Sequence, residues 1–210
     1  MITPKQSVDL AAAIYNPVDR SKFDDIIEIA GIGIGIKEHD YFLSFSLPGS
    51  QCTLDFLRDG RTITQHIKNI GRVPNGFMEG IDEAFEALFH YLNSGYRLSF
   101  NGHSLGASHA AILARMALNA GLKVDSLHLF APPLTSDAEF VSYMMSAIPD
   151  LKAWRNGRDL IPTFPILEDL SQFPLIFLNE APEEMVIDPI RWHMINLYQR
   201  GIYKLETPHD

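Results

Sequence analysis

Residues 96–119, YRLSFNGHSLGASHAAILARMALN, decide the fold class of this chain. The short segment 96–100 predicts a buried strand, and the alanine-rich segment 105–119 predicts a helix that is stopped by Gly121. Ser104 lies at the turn between them, with a glycine two residues before it and another two residues after it. The question is whether this serine is a nucleophile or part of an ordinary glycine-rich turn.

The turn at Ser104 has the properties that a nucleophilic serine needs. A serine hydroxyl is a poor nucleophile until it is held exposed and a base takes its proton. Small residues at 102 and 106 let the backbone make a sharp bend that supplies the exposure. The helix beginning at Leu105 aims its free N–H groups at the space where an oxyanion would form. GxSxG alone is a weak signal, so the rest of the chain must decide.

Segments on both sides of this turn predict further strands and helices. In 26–36, IIEIAGIGIGI, three isoleucines share one face and three glycines share the other, which predicts one strand with a flat side. The segment lacks the GxGxxG spacing of a nucleotide loop. An apolar stripe predicts one helix over 77–92. The remaining predicted elements are a helix over 7–15 and strands over 41–47, 124–130 and 151–154.

The order strand, helix, strand around the serine predicts an α/β fold with a mostly parallel central sheet and helices on both faces. The chain has 210 residues, 46% of them hydrophobic, so we expect a single domain over 1–210 with one substantial core. The formal net charge is −9 and no basic run occurs. Neither nucleic acid nor an anionic membrane surface is therefore a favoured partner, and a neutral or cationic substrate fits better.

The sequence has no HExxH, no CxxC and no carboxylate-rich calcium loop, so we expect neither a metal nor a cofactor. Cys52 is the sole cysteine, and the N-terminal segment lacks the apolar core of a signal peptide. No apolar run is long enough for a transmembrane segment. These features predict a cytoplasmic protein, with leaderless export or release by lysis left open.

Several motifs resemble those of the class 3 (fungal-type) lipases, a family of the α/β-hydrolase fold. Residues 102–106, GHSLG, are similar to the family's usual sequence around its nucleophile. The further resemblances follow in the family's order: PGS (48–50), Phe56 and Asp59, Gly76 and Phe77, NGRDLIPTFP (156–165) and WHMINLY (192–198). The resemblance implies a single-domain α/β-hydrolase with a Ser-His-Asp triad.

Ser104 is the predicted nucleophile, and in the α/β-hydrolase order the acid and then the base follow it in the chain. Among the later histidines, His109 lies one turn into the helix, His128 lies inside a strand and His209 lies in the terminal tail. His193 is therefore the predicted base.

Asp159 is the predicted acid, because it follows the strand 151–154 and would lie at the C-terminal edge of a parallel sheet. Asp169 and Asp188 are its rivals. His103, although adjacent to the nucleophile, is expected to pack in the turn rather than to act as the base.

Two donors are predicted for the oxyanion hole. One is the backbone N–H of Leu105, the residue after the nucleophile. By resemblance, the second is Ser50, through its backbone N–H and its hydroxyl. The next segment, 51–59, lies where the family carries its lid and has the pattern of a short amphipathic helix. A moving lid and a fixed surface helix both fit this pattern, and the short chain favours the fixed helix.

The predicted function is hydrolysis of carboxylic esters, of lipids or of other acyl compounds, through an acyl-enzyme on Ser104. Any contact with a lipid surface is expected to be transient. An acyltransferase or a thioesterase with the same triad remains an alternative. A non-catalytic binding protein on a hydrolase scaffold is the alternative from a different class.

Overall fold

The computed structural model describes residues 2–49, 63–181 and 191–206. The helices are α1 (Pro4–Ala13), α2 (Asn75–Met78), α3 (Ile81–Ala87), α4 (Phe89–Leu92), α5 (Leu105–Asn119), α6 (Ala138–Ala147) and α7 (Ile195–Glu206). The strands are β1 (Asp25–Ile29), β2 (Ile32–His39), β3 (Phe42–Leu47), β4 (Thr64–Ile67), β5 (Gly71–Pro74), β6 (Arg97–His103), β7 (Val124–Phe130), β8 (Asp150–Asn156) and β9 (Leu175–Leu178). None of the helices in these described ranges combines the length and the apolarity that a membrane crossing needs.

Seven of the described strands form one sheet in the order β1-β2-β3-β6-β7-β8-β9. The pairings from β3 to β9 are parallel, whereas β1, β2 and β3 pair antiparallel at one side of the sheet. The predicted mostly parallel sheet is therefore confirmed. Because parallel strands end at the same edge, Ser104 after β6 and Asp159 after β8 reach one edge of the sheet.

The expected single strand over 26–36 is wrong, because the chain forms the β1–β2 hairpin there. The turn consists of Ala30 and Gly31, which have positive φ angles of 48° and 82°. A tight hairpin turn needs such angles, but alanine adopts them rarely, so the turn is not evident from the residue types. The flat side is occupied by Phe23, whose Cε1 would lie 2.5 Å from a Cβ on Gly35.

The expected single helix over 77–92 is also wrong, because the chain forms α2, α3 and α4 in that range. Gly80 interrupts the helix with a φ angle of 75°, and a second break follows at Leu88. The predicted apolar stripe still packs in the main core at Phe77, Ile81, Phe85, Leu88 and Leu92. The change of helical phase at Leu88 turns one member away from the core. Phe89, expected in the core, is 65% exposed.

The two faces of the central sheet differ in chemistry. The side chains of β3, β6 and β7 alternate, and one set packs with α5 and α3 in the main apolar core: Leu43, Phe45, Leu47, Leu98, Phe100, Leu127 and Leu129. The other set, the polar layer, lies on the side of α1 and consists of Ser44, Ser46, Ser99, Asn101, His103, Ser126 and His128, all buried. The apolar residues of α1 contact Phe130, Trp154 and α7 beside this layer. The predicted helices on both faces are confirmed.

Candidate active site

Ser104 occupies a strained turn between β6 and α5. Its φ of 60° and ψ of −131° are rare for a residue with a side chain and cost on the order of 1–3 kcal/mol. The close approach of the backbone requires glycine on both sides. A Cβ on Gly102 would lie 2.2 Å from the carbonyl oxygen of Gly106, and a Cβ on Gly106 would lie 2.3 Å from that of Leu47. The sequence thus enforces a turn that presents one serine.

The expected exposure of the Ser104 hydroxyl is wrong, because the residue is only 2% exposed in the folded chain. Its hydroxyl is buried and has no hydrogen-bond partner among the described residues. Its backbone N–H donates to the carbonyl oxygen of Phe130 over 2.9 Å, which ties the turn to β7. Leu105 is the first residue of α5, and the helix itself supplies no acceptor for its N–H. A hydroxyl and a backbone donor therefore lie side by side at the end of the sheet.

Asp159 and His193 form a hydrogen-bonded pair beside this turn. His193 Nδ1 donates to Asp159 Oδ2 over 2.8 Å, which leaves Nε2 of the neutral ring without a proton. Nε2 is buried and has no hydrogen-bond partner in the part of the chain that the structure describes. The His193 ring lies 4.5 Å from the ring of His103, the residue before Ser104, measured between centroids. The imidazole is thus held next to the serine turn.

Tyr198, on α7, completes the surroundings of the carboxylate. Its hydroxyl donates to Asp159 Oδ2 over 2.5 Å and accepts the backbone N–H of Asn156 over 3.1 Å. Asp159 Oδ1 accepts the backbone N–H of Ile161 over 2.9 Å. Burial, followed by the neighbouring Asp159 charge, raises the pKa of Tyr198 well above its usual value, so Tyr198 stays a donor. No role for Tyr198 is predicted from the sequence, although the residue ends the motif WHMINLY that resembles the family's His and Tyr.

The segment carrying His193 is fixed at the end of β8. Asn156 Nδ2 donates to the carbonyl oxygens of Glu180, over 3.0 Å, and of Trp192, over 3.3 Å. The Trp192 indole lies against the backbone of Gly157, where a Cβ would be 2.2 Å from its Cζ3. These contacts hold Trp192, and therefore its neighbour His193, at the same edge of the sheet as Ser104.

The sequence model of the class 3 lipases matches residues 30–168, which is more than half of the chain. The matched range includes Ser104 and Asp159. The chain belongs to the class 3 lipase family. This class 3 lipase is accordingly a hydrolase of carboxylic esters with a serine nucleophile and a Ser-His-Asp triad, as the sequence predicts.

Solved structures similar to this class 3 lipase include three with nearly the same coverage. A mutant form of MDLA from Penicillium cyclopium is 17% identical with a TM-score of 0.67, covering 87% of this chain and 81% of that chain. The triacylglyceride lipase of Rhizomucor miehei is 17% identical with a TM-score of 0.66, covering 83% and 78%. A triacylglycerol lipase whose catalytic centre is a serine protease triad is 16% identical with a TM-score of 0.63, covering 82% and 77%. The likeness confirms the α/β-hydrolase fold. A comparison with curated protein sequences finds no match.

The other candidates for the acid and the base in the described part of this class 3 lipase are not arranged as a hydrogen-bonded Asp-His pair beside Ser104. Asp169 Oδ2 is 3.3 Å from Arg72 Nη1, and its side chain is 65% exposed. His109 is buried in α5, and burial lowers its pKa to about 4. Both ring nitrogens of His103 are hydrogen-bonded, to Tyr15 and to the backbone of His193, so His103 offers no free base. Asp169 and His109 therefore lack the paired arrangement of Asp159 and His193.

A second serine and histidine form a similar arrangement inside the fold. His128 Nδ1 is 2.7 Å from Ser7 Oγ, and its Nε2 is 3.1 Å from Asp150 Oδ2. Ser7 and His128 are fully buried between α1 and the sheet. The group joins α1 to β7 and β8 beneath the helix, whereas Ser104 lies at the edge of the sheet.

Other sequence predictions stay predictions. Ser50, the segment 51–59, Asp188 and His209 lie outside the described residues. Within the ranges described, no group of three or more His, Cys, Asp and Glu side chains suits a metal ion. The expectation of an enzyme without a metal or a cofactor is left to experiment.

Proposed function

We propose that this class 3 lipase cleaves esters of lipids or of other acyl compounds through an acyl-enzyme on Ser104, with His193 as base and Asp159 as acid. One observation carries the proposal: the His193–Asp159 pair, bonded over 2.8 Å, lies against the residue that precedes a serine of strained backbone. Serine, imidazole and carboxylate are the three groups of this type of acyl transfer. Ser104 Oγ and His193 Nε2, the two atoms that would exchange the proton, are both unpaired among the described residues.

The first half of the reaction forms the acyl-enzyme. His193 Nε2 takes the proton of Ser104 Oγ as the oxygen attacks the ester carbonyl carbon, and Asp159 stabilises the resulting imidazolium. The carbonyl oxygen becomes an oxyanion. When the tetrahedral intermediate collapses, the C–O bond to the alcohol breaks, and the alkoxide leaves with the proton from His193 Nε2. The acyl group remains on Ser104.

The second half returns the enzyme to its starting state. A water molecule gives one proton to His193 Nε2 while its oxygen attacks the acyl carbon. The second tetrahedral intermediate expels Ser104 Oγ, which recovers its proton from the imidazolium, and the carboxylic acid leaves. Stabilisation of the two oxyanions by preorganised N–H donors supplies a large part of the rate. We assign Leu105 as one donor, and from the sequence resemblance Ser50 as the other.

Apolar side chains next to the triad support an acyl or lipid substrate. Leu160 follows Asp159 in the chain and is 43% exposed, and Met194 follows His193 and is 51% exposed. Contact with hydrocarbon would remove these apolar side chains from water, which is favourable. We infer transient contact with a lipid surface, and the net charge of −9 argues against nucleic acid as a partner. The cytoplasmic location stays a prediction.

Labelling of the pure protein with a fluorophosphonate, followed by peptide mass spectrometry, tests the nucleophile. We expect the adduct on Ser104, and we expect Ser104→Ala to abolish both labelling and turnover of p-nitrophenyl esters. Ser7→Ala is the matched control, because Ser7 also bonds to a histidine but lies between α1 and the sheet, not at the sheet edge that carries Ser104. An adduct on another residue, or full activity in Ser104→Ala, would contradict the proposal.

A further inference from the structure

The hydroxyl of Tyr15 joins two loops that meet at the serine. Tyr15 follows α1, and its Oη accepts the backbone N–H of Gly49 over 2.5 Å and donates to His103 Nδ1 over 2.8 Å. Gly49 lies in the loop after β3, and His103 directly precedes Ser104. We propose that Tyr15 is a positioning residue that holds the loop after β3 against Ser104 in the geometry needed to stabilise the oxyanion. This inference rests on the proposed function of Ser104.

The direction of each hydrogen bond in this chain of groups is fixed by its two ends. The Gly49 N–H can only donate, so Tyr15 Oη accepts there and has one proton left to donate. The backbone carbonyl of His193 can only accept, and it lies 2.8 Å from His103 Nε2. His103 therefore carries its proton on Nε2 and accepts the Tyr15 proton at Nδ1. A single tautomer satisfies all three bonds.

The same arrangement requires a neutral His103. A protonated ring would present N–H groups on both sides, and the Tyr15 proton would lose its acceptor. Burial, followed by the nearby His193, keeps the pKa of His103 well below its usual value. A neutral ring also avoids repulsion when His193, whose ring centroid lies 4.5 Å away, becomes an imidazolium during the reaction.

Gly49 is packed so closely that a small displacement of its backbone would change its contacts with Ser104, Tyr15 and His103. A Cβ on Gly49 would lie 2.7 Å from Ser104 Cβ, 2.7 Å from Tyr15 Oη and 3.0 Å from the carbonyl oxygen of His103. The backbone after β3 therefore packs directly against the nucleophile. Ser50, the second donor predicted from the sequence, follows Gly49 in the chain. The hydrogen bond from the Gly49 N–H therefore fixes the residue that directly precedes this predicted donor in the chain.

Tyr15→Phe tests the inference, because it removes the hydroxyl and keeps the ring. We expect kcat for a p-nitrophenyl ester to fall by about tenfold, with KM within about twofold, because a misplaced oxyanion donor acts on the transition state. The second measurement compares the ester with its thionoester, in which sulfur replaces the carbonyl oxygen. Sulfur accepts hydrogen bonds weakly, so the ester-to-thionoester ratio of kcat/KM should also fall by about tenfold in the variant.

Tyr203→Phe is the matched control. The Tyr203 hydroxyl donates to Asp9 Oδ1 over 2.5 Å and so joins α7 to α1. This variant should keep the native kcat and the native ratio. Equal losses in both variants would overturn the inference, since tethering of α1 would then explain them.

The outcomes separate this inference from the proposed function. Failure of the native protein to label at Ser104 or to hydrolyse esters would overturn both. Native labelling and turnover together with an unchanged Tyr15→Phe enzyme would overturn the inference alone. A fall in kcat with an unchanged ester-to-thionoester ratio would also overturn it, because Tyr15 would then act elsewhere than on the oxyanion.

Discussion

Replacing Asp159 by asparagine tests the proposed acid, and the structure indicates how the amide would sit. Asp159 Oδ1 accepts the backbone N–H of Ile161 over 2.9 Å, which an amide nitrogen cannot do. The amide oxygen of the variant therefore faces Ile161. Its NH₂ group takes the place of Oδ2 and faces His193 Nδ1 and the Tyr198 hydroxyl.

In this orientation the asparagine donates to His193 Nδ1 instead of accepting from it. The imidazole must then carry its proton on Nε2, the atom that has to remove the proton of Ser104. We expect kcat to fall by about 10³- to 10⁴-fold, equivalent to about 4–5.5 kcal/mol in the activation barrier. KM should change little, because the loss concerns the transition state.

Steady-state hydrolysis of a soluble p-nitrophenyl ester at neutral pH measures both constants, and urea unfolding checks that the variant is folded. Asp169→Asn is the matched control, because the Asp169–Arg72 pair is exposed and such pairs contribute about 0–1 kcal/mol. It should keep the native kcat. A near-native kcat in Asp159→Asn would refute the assignment of the acid. A large loss of kcat in Asp169→Asn or in Asp188→Asn would refute it as well.

Two further predictions concern buried groups outside the triad. Ser7→Ala leaves His128 Nδ1 without its partner, so the free energy of unfolding in urea should fall by about 1–3 kcal/mol while kcat is unchanged; native stability would contradict this role. Burial lowers the pKa of His109 to about 4 in the folded state, whereas the unfolded chain binds this proton below about pH 6.5. Stability from this group is therefore complete above about pH 6.5 and is lost towards pH 4, by roughly 3 kcal/mol. His109→Leu should flatten this part of the stability–pH profile, and an equally steep profile would count against His109.

The parts of the fold that follow from local pattern could be predicted from the sequence. The helix over 105–119 and the strand over 124–130 have the predicted bounds, because an alanine-rich run ended by glycine and a short apolar run each specify one conformation. The breaks at Ala30 and Leu88 could not be predicted, since neither residue type signals an interruption. The single domain over 1–210 stays a prediction.

The functional site was likewise predictable from the sequence only in part. Ser104 lies in a local motif, and the turn around it follows from two glycines. The hydroxyl contacts of Tyr15 and Tyr198 join residues that are 88 and 39 positions apart in the chain. Contacts of this kind depend on how α1 and α7 pack on the sheet, which periodicity does not specify. The chain order of the acid and base came from family resemblance rather than from local pattern.

The polar layer under α1 has a consequence for the way this enzyme would lose activity. Burial of apolar area is the main stabilising contribution to a fold, and α5 covers the apolar face of the sheet. The helix α1 covers serines, an asparagine and histidines and packs its own apolar residues in two smaller clusters beside them. Segments held by fewer apolar contacts open at a lower free energy than the rest of the molecule. Tyr15 would move away with α1 in such an opening. Opening of the N-terminal helix would therefore inactivate the enzyme before the molecule unfolds. On warming or in mild denaturant, activity would be lost while the central sheet is still folded.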